Sequence, residues 1–461
     1  MANTEIRRTT GSTPTNAKKF TLSFWLKKSK NGQSSERGIL GWRENNNSGN
    51  NNLQVQFDSN DKLQVGFYSN NGNDTHIDCI TNRQFRDNNS FYHFVIAVDS
   101  TQGTSSNRVK IYVNGVQETS LGTATYPATD RTFFSNDVQI NVGKSRTTGN
   151  TDRFLNGVIS HLHFTDGYAY DATPFGETDS TTGEWKIKTS VTGVTYGNNG
   201  FWWLKDSIAT TDHSPNSNTF SVGEGTLTKT EDNPSNVFAT LNTLTRSASQ
   251  LNIINGNTSK SNTPTSNAWR SIVSTIGAST GKYYFEVKVN NIENSDQNNF
   301  AVGITDYDQS DDQSTANGKF FAFSRGYGYH AKDGKKLNND GTTANGAAYG
   351  SSWTTNDIIG CAFDLDNGKI YWSKNGTWQD SGDPTSGSTG TGSAFNITTG
   401  HTYFPVMAQY YGNEHYSFNF GNGYFGTTAV SSAGTNASGN GIFEYDVPTG
   451  YTALSTKGLN L

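Results

Sequence analysis

The chain has 461 residues, enough for two or three domains that each bury a core of their own. Only 32% of residues are hydrophobic and 16% charged, yet 12% are aromatic, so the surface must be built from neutral Asn, Ser, Thr and Gly while the rings point to packed sheets rather than disorder. The net charge of −5, with both signs mixed along the chain, argues against a nucleic-acid partner, and the absence of a run of about 18 apolar residues argues against membrane insertion by a helix. Cys79 and Cys361 fall in different predicted domains; Cys361 reads as a small buried hydrophobe and no disulfide is expected. The opening MANTEIRRTTG lacks an apolar signal-peptide core, so export by that route is not expected.

From Phe20 the chain reads FTLSFWLKKS, RGILGWRE, NLQVQFDSNDKLQVGFYS, FYHFVIAVDS, NRVKIYVNGVQE and DVQINVGKS. These are short alternating runs bounded by Asn, Gly, Asp and Ser, as in antiparallel strands with one buried face. Asn60-Asp61 and Asn114-Gly115 supply turns, and no segment carries a sustained 3.6-residue apolar stripe, so almost no helix is expected. The order SFW, FYHFVIAVD, VKIYVNG, GVISHLHFTDG resembles a laminin-G or concanavalin A-like jelly roll, placing a first domain at residues 1–170. That resemblance implies a domain of a kind that commonly binds sugar and sometimes calcium. Asp99 and Asp166 are candidate ligands, but single aspartates at strand ends read as turn caps. His161 and His163 alternate and would share one strand face; with no third ligand beside them they read as a half-exposed surface.

Residues 171–244 are rich in Thr, Gly, Asn and Pro but carry Trp185, Phe201, Trp202, Trp203 and Phe238, more rings than a free linker tolerates. They are expected to form an ordered arm packed across the sandwiches or onto a neighbouring subunit, with FWWL as an alternative sugar-stacking platform. Residues 166–206 and 212–242, and the terminal EYDVPTGYTALSTKGLN, resemble segments of tailed-bacteriophage virion proteins in which laminin-G-like and SPRY-like domains follow one another. The resemblance implies a virion surface protein, tail fibre or head appendage, that attaches to host-surface glycan or receptor, contacts other virion proteins and forms a homo-oligomer. The first sandwich is expected to begin almost at Met1, a departure from long tail fibres with their anchoring domain or shaft that weighs against the tail-fibre reading.

A second domain is expected over residues 245–430, followed by a tail over 431–461. GKYYFEVKV, FAVGIT, YFPVMAQYY and HYSFNFG alternate at period two, and between them DIIGCAFDLDNGKIYWSKNGTW places Asp366-Asn367-Gly368 between an apolar run and an alternating run. A turn dipeptide between two such runs is a strong hairpin signal. These blocks, taken in order, resemble the successive strands of a SPRY domain, so the whole chain is expected to be all-β, two antiparallel sandwiches joined by the arm.

No residue is assigned a catalytic role. Glycoside hydrolysis needs two carboxylates flanking the bond; the strands offer Glu286 alone, and Asp364 and Asp366 in DLDNG, which read as turn residues. No G-x-S-x-G, HExxH or phosphate-binding loop is present, and the Gly-Ser-Thr run at 381–393 reads as a flexible loop tip. No cofactor is expected apart from a candidate calcium ion in TDYDQSDDQS, through Asp306, Asp308, Asp311 and Asp312. Loops supply contacts while strands supply rigidity, and an aromatic ring beside Asn or Asp suits a sugar. The candidate binding residues are therefore Tyr307, Trp353, Trp378, Tyr410, Tyr411 and His415, with sheet-edge packing as the alternative for Trp353 and Trp378. The preferred reading is non-enzymatic attachment from the phage particle. Its alternatives are a capsid-decoration protein without a receptor and a polysaccharide hydrolase.

Overall fold

The computed structural model describes residues 3–32, 37–44, 51–69, 73–144, 153–205, 210–245, 251–261, 268–292, 299–306, 318–339 and 346–461. Strands take 45% of the chain and helical turns 4%, so the expected all-β architecture holds. Contacts divide it into two compact units, Met1–Lys229 and Thr230–Leu461.

In the first unit an eight-stranded sheet runs in the order Leu121–Thr125, Asp74–Gln84, Lys62–Ser69, Asn52–Phe57, Arg37–Glu44, Val138–Val142, Glu5–Thr9, Ser221–Glu224. It faces a six-stranded sheet ordered Phe201–Trp203, Gly157–Asp166, Lys19–Lys28, Tyr92–Asp99, Val109–Val113, Val116–Gln117. Alternation builds the core: Phe20, Leu22, Phe24 and Leu26 point inward against Trp42, Phe67, Phe94 and Phe164. The other row of the same strand, Thr21, Ser23 and Trp25, is buried too. A third layer lies over it, made by Phe175, Trp185 and Tyr196 beside the sheet's own Trp202. The stretch expected as an arm is thus divided: residues 171–205 and 210–229 supply strands and cover to the first unit, and residues 230–244 belong to the second. FWWL is fully spent in this packing. Phe201 and Trp203 stack on each other inside the core and Trp202 faces His163, which removes the sugar-platform alternative.

The second unit pairs a sheet ordered Asn252–Ile254, Ser259–Ser261, His415–Asn419, Lys282–Asn291, Ile358–Asp364, Lys369–Lys374, Thr377–Trp378 with another ordered Arg270–Val273, Tyr403–Gln409, Phe300–Asp306, Gly326–His330, Lys335–Leu337, Ala347–Ala348. The predicted hairpin forms with Ile359 opposite Lys374 and Asp364 opposite Lys369. The turns Asn114-Gly115 and Asn375-Gly376 both take positive φ at both positions, 49° and 81°, then 50° and 80°. In each, the Asn side chain accepts a backbone N–H from the partner strand, that of His93 or of Ile358, at 2.8 Å.

A third layer recurs here. Tyr284, Ala362 and Tyr371 face away from the core, and Phe238, Phe443, Val447 and Tyr451 cover them. Thr452–Ala453 adds in parallel to Tyr283 and Tyr284. The tail is therefore part of the fold. Residues 381–393, expected as a loose tip, are folded as well: Asp383 accepts from Thr385 N at 2.8 Å, Pro384 is buried, and Tyr451 Oη donates to the Pro384 carbonyl at 3.0 Å.

Candidate recognition site

Strands Tyr403–Gln409 and His415–Asn419 lie in different sheets, and residues 410–414 join them at one end of the second sandwich. The side chains of Gln409 and Tyr416 meet inside, where Tyr416 Oη donates to Gln409 Oε1 at 2.7 Å. The connection is pinned by main chain on both sides: Tyr410 N donates to the Asn299 carbonyl at 3.0 Å and Ala268 N to the Tyr410 carbonyl at 3.1 Å. From beneath, the buried Lys260 Nζ donates to the carbonyls of Gly412 and Glu414, each at 2.6 Å. On this support Tyr410 and Tyr411 stand half-buried and edge to face, 4.9 Å between centroids. Tyr410 leans on Trp269 at 5.9 Å, and Trp269 meets Phe321 edge-on at 5.2 Å.

Burial sets the charges here. It pushes the Lys260 ammonium down to about 8 against the opposing pull of Glu414, and it holds the Glu414 carboxyl well above the usual range. His415 is lowered by burial and then by Lys260, which favours the neutral ring.

Of the candidates, Tyr410 and Tyr411 meet each other, and His415, half-buried, opens the strand that follows the connection. Trp353 is a correction: it is 1% exposed, edge-on to Phe300 at 5.1 Å and tilted on Tyr329 at 5.9 Å, so no ring face is left for a ligand. Trp378 packs edge-on to Tyr284 at 6.3 Å on the edge strand, the sheet-edge role weighed for it. Tyr307, Asp308, Asp311 and Asp312 lie outside the described residues. Asp306 is described, and its carboxylate is taken by Arg325 Nε at 2.7 Å and His401 Nδ1 at 3.2 Å rather than left open to a cation. Asp306 pairs with Tyr403 whereas Phe300 pairs with Gln409, so residue 306 leaves the sheet roughly 20 Å from the tyrosine connection. Among the described residues no group of three or more His, Cys, Asp or Glu is placed to hold a metal ion. Sequence reasoning missed Lys260 and Trp269, because the strand Ser259–Ser261 is too short to register and Trp269 lies just ahead of the strand Arg270–Val273.

The carboxylates weighed for catalysis are spent on structure. Asp364 accepts from the backbone N–H of Asp366 and Asn367 and from Lys282 Nζ, at 2.9 to 3.0 Å, and Asp366 accepts from Gly281 N at 2.7 Å. Glu286 is buried and accepts from the N–H groups of Glu444 and Tyr445, both 2.9 Å, from Tyr284 Oη and from Asn419 Nδ2; burial nevertheless raises its pKa to about 7. In the first unit Asp99 accepts from Thr101 N and Gln102 Nε2 and is a turn cap, whereas Asp166, also expected as one, accepts from the N–H groups of Thr15 and Asn199 and ties distant segments together.

The histidines are not half-exposed, as expected, but buried, because the cover lies over their strand face. His163 shares a 2.8 Å hydrogen bond with Tyr196 Oη. His93 touches Ser23 Oγ at 2.9 Å, a Ser–His pair in outline, yet Trp185 Nε1–H donates to His93 Nδ1 at 3.0 Å. Trp only donates, so the proton of the neutral ring sits on Nε2 and points at Ser23, the wrong tautomer for a general base.

Comparison with known proteins agrees with the two folds. Residues 3–170 match the family model described as the concanavalin A-like lectin/glucanases superfamily, and residues 282–423 match the SPRY domain. The chain thus carries a concanavalin A-like domain followed by a SPRY domain. It is 34% identical over 101 residues to a Ran-binding proteins 9/10 homolog of Drosophila melanogaster, covering 22% of this chain and 10% of that protein. Human Ran-binding protein 9 is 33% identical over 101 residues, covering 22% and 12%. The chain therefore spans about a tenth of the length of these curated relatives. Among solved structures, the SPRY domain of human HERC1 is 17% identical, covers 36% of this chain and 91% of that one, and has a TM-score of 0.28. A putative carbohydrate binding protein from Bacteroides ovatus is 12% identical, covering 49% and 60%, with a TM-score of 0.31.

Proposed function

We propose that this chain is a non-catalytic recognition protein carried on the particle of a tailed bacteriophage, where it meets host-surface glycan or receptor through the 410–414 connection and assembles with other virion proteins as a homo-oligomer. The observation that carries the recognition reading is the Tyr410–Tyr411 pair, two half-buried rings set edge to face on a connection whose backbone is tied down on three sides. Rings that are already ordered lose little freedom on binding, and their apolar faces with polar edges suit a sugar or a peptide. The placement on a virion is supported by the segments between and after the two domains, which resemble phage proteins. The non-catalytic reading is supported by Glu286, Asp364 and Asp366, whose oxygens are already used by N–H groups.

The test is Tyr411→Ala, measured as adsorption of the particle to its host cells and as melting temperature. Adsorption should fall by more than about tenfold, the effect of removing a central aromatic contact, with the melting temperature nearly unchanged. Persisting adsorption with a fall in stability would make the ring structural. Persisting adsorption with unchanged stability would favour the decoration protein that has no receptor.

A further inference from the structure

The Lys260 ammonium and the Glu414 carboxyl lie close together in the second unit without being bonded to each other. Lys260 pairs in register with Tyr416, which puts its side chain on the core-facing row, where it passes over the Tyr416 ring at 5.8 Å and is 0% exposed. A buried ammonium costs several kcal/mol unless its N–H groups find acceptors. Here the acceptors are two carbonyls of the connection, Gly412 and Glu414.

Glu414 is 3% exposed, and both its carboxyl oxygens are out of contact with water and without a hydrogen-bond donor. Among the described residues, Lys260 is the charged group that acts on it appreciably. Among the described residues no carboxylate lies within 4.0 Å of Lys260, so its two bonds to backbone oxygen are its main compensation. The other charged and titratable groups bearing on the pair are Arg270 on the strand Arg270–Val273, which opposes positive charge at Lys260, and His415 and Tyr416 on the strand His415–Asn419. Gln409, which faces the same space, is neutral, and its Nε2 has no acceptor. The arrangement suits a neutral Glu414 and does not suit an ionised one. A buried carboxylate needs donors, and Lys260 is the cation able to supply them.

We propose that Lys260 is the positioning residue of the Tyr410–Tyr411 connection, and that ionisation of Glu414 draws its ammonium off the Gly412 and Glu414 carbonyls and releases the connection. The proton lost by Glu414 passes to solvent, one carboxylate–ammonium pair replaces two ammonium–carbonyl bonds, and the two tyrosines lose their rigid support. The pair thereby makes the recognition surface firm at low pH and loose at high pH. The consequence for binding rests on the recognition reading above, but the latch can be measured without any ligand.

Backbone hydrogen exchange of residues 410–414 in the full-length protein, corrected for intrinsic base catalysis, reads it directly from about pH 5 to 9. In the wild type, protection should fall by more than about tenfold as pH rises. In Glu414→Gln, which keeps shape and cannot ionise, it should stay flat and high until Lys260 itself, lowered by burial to about 8 in the wild type, loses its proton. Lys260→Met should lose protection at every pH and Lys260→Arg should recover part of it. If wild type and Glu414→Gln keep the same protection across the range, the latch is wrong, whether or not Lys260→Met folds. If the latch works and Tyr411→Ala still adsorbs normally, the recognition reading fails and the latch stands.

Discussion

The two units solve the same problem with opposite chemistry. Each is a two-sheet sandwich with one sheet buried on both faces under a layer of irregular, aromatic chain: residues from 168 to 205 in the first, and Phe238 with the 431–461 tail in the second. Each cover is anchored by a buried acid, Asp166 in the first unit and Glu286 in the second, but the groups shifted furthest differ: under its cover the first unit buries His93 and His163, whereas the second buries Glu286 and, in the tyrosine connection, Glu414, with His330 as its one buried histidine among the described residues. A polar group under a cover must be neutral or fully bonded. The two histidines meet this by staying unprotonated, Glu414 by staying protonated, and Glu286 by its four donors, against which burial still raises its pKa, so these groups should make pH act on the two units in opposite senses.

The largest effects should come from removing the buried acids that anchor each cover. Glu286→Ala leaves the N–H groups of Glu444 and Tyr445 without acceptors and should cost about 3–5 kcal/mol, with residues 431–461 becoming open to protease. Asp166→Ala strips Thr15 N and Asn199 N in the same way and should destabilise the first unit alone by a similar amount. A loss shared by both units in either variant would break the comparison, because it would mean the covers are not independent.

Acid should produce the next largest effect. His93 is lowered by burial from 6.5 to about 3, so the unfolded chain takes up the proton first, and first-unit stability is full above 6.5 and lost as pH falls. At about pH 4.5 the loss is on the order of 3 kcal/mol from this ring alone, with His163 lowered in the same direction. Asp99, held below its ordinary value despite burial by bonds from Thr101, Gln102 and Lys19, also loses its contribution as pH falls. Glu286 runs the other way: burial raises it from 4.5 to about 7, so the folded state holds the proton longer and stability rises as pH falls across that window. Hydrogen exchange of the core strands Tyr92–Asp99 and Lys282–Asn291 at pH 7 and about 5 should show protection falling in the first and holding or rising in the second. Protection that falls equally in both would contradict the contrast.

A smaller effect sharpens it. Trp185→Phe removes the N–H that donates to His93 Nδ1 while keeping an aromatic cover, and should cost about 1–2 kcal/mol, felt in the first unit only.

The strands, the Asn-Gly turns and the order of the two domains were legible from period-two alternation and turn chemistry. What lies on the second face of a strand was not. Ser23, His93 and His163 sit on rows that alternate with core residues, which is how a solvent-facing row reads, and only the distant Trp185, Tyr196 and Trp202 make them interior. Irregular cover has no period to recognise, so the 171–229 segment and the tail passed for an arm and an end. Within the site, Tyr410 and Tyr411 stood out because they interrupt a strand pattern, whereas Trp353 gave the same local signal from inside the core. Lys260 carries no sequence mark, since its role depends on register with a strand more than 150 residues away.

Recognition and the lack of catalysis can be read in one measurement. Purified full-length protein is incubated with host cells and with polysaccharide stripped from their surface, and both retention and newly formed reducing ends are followed. The protein should be retained without releasing sugar, and a Tyr410→Ala, Tyr411→Ala variant of unchanged stability should lose more than about tenfold in retention. Reducing ends that accumulate with wild type and vanish with Asp364→Asn or Asp366→Asn would contradict it.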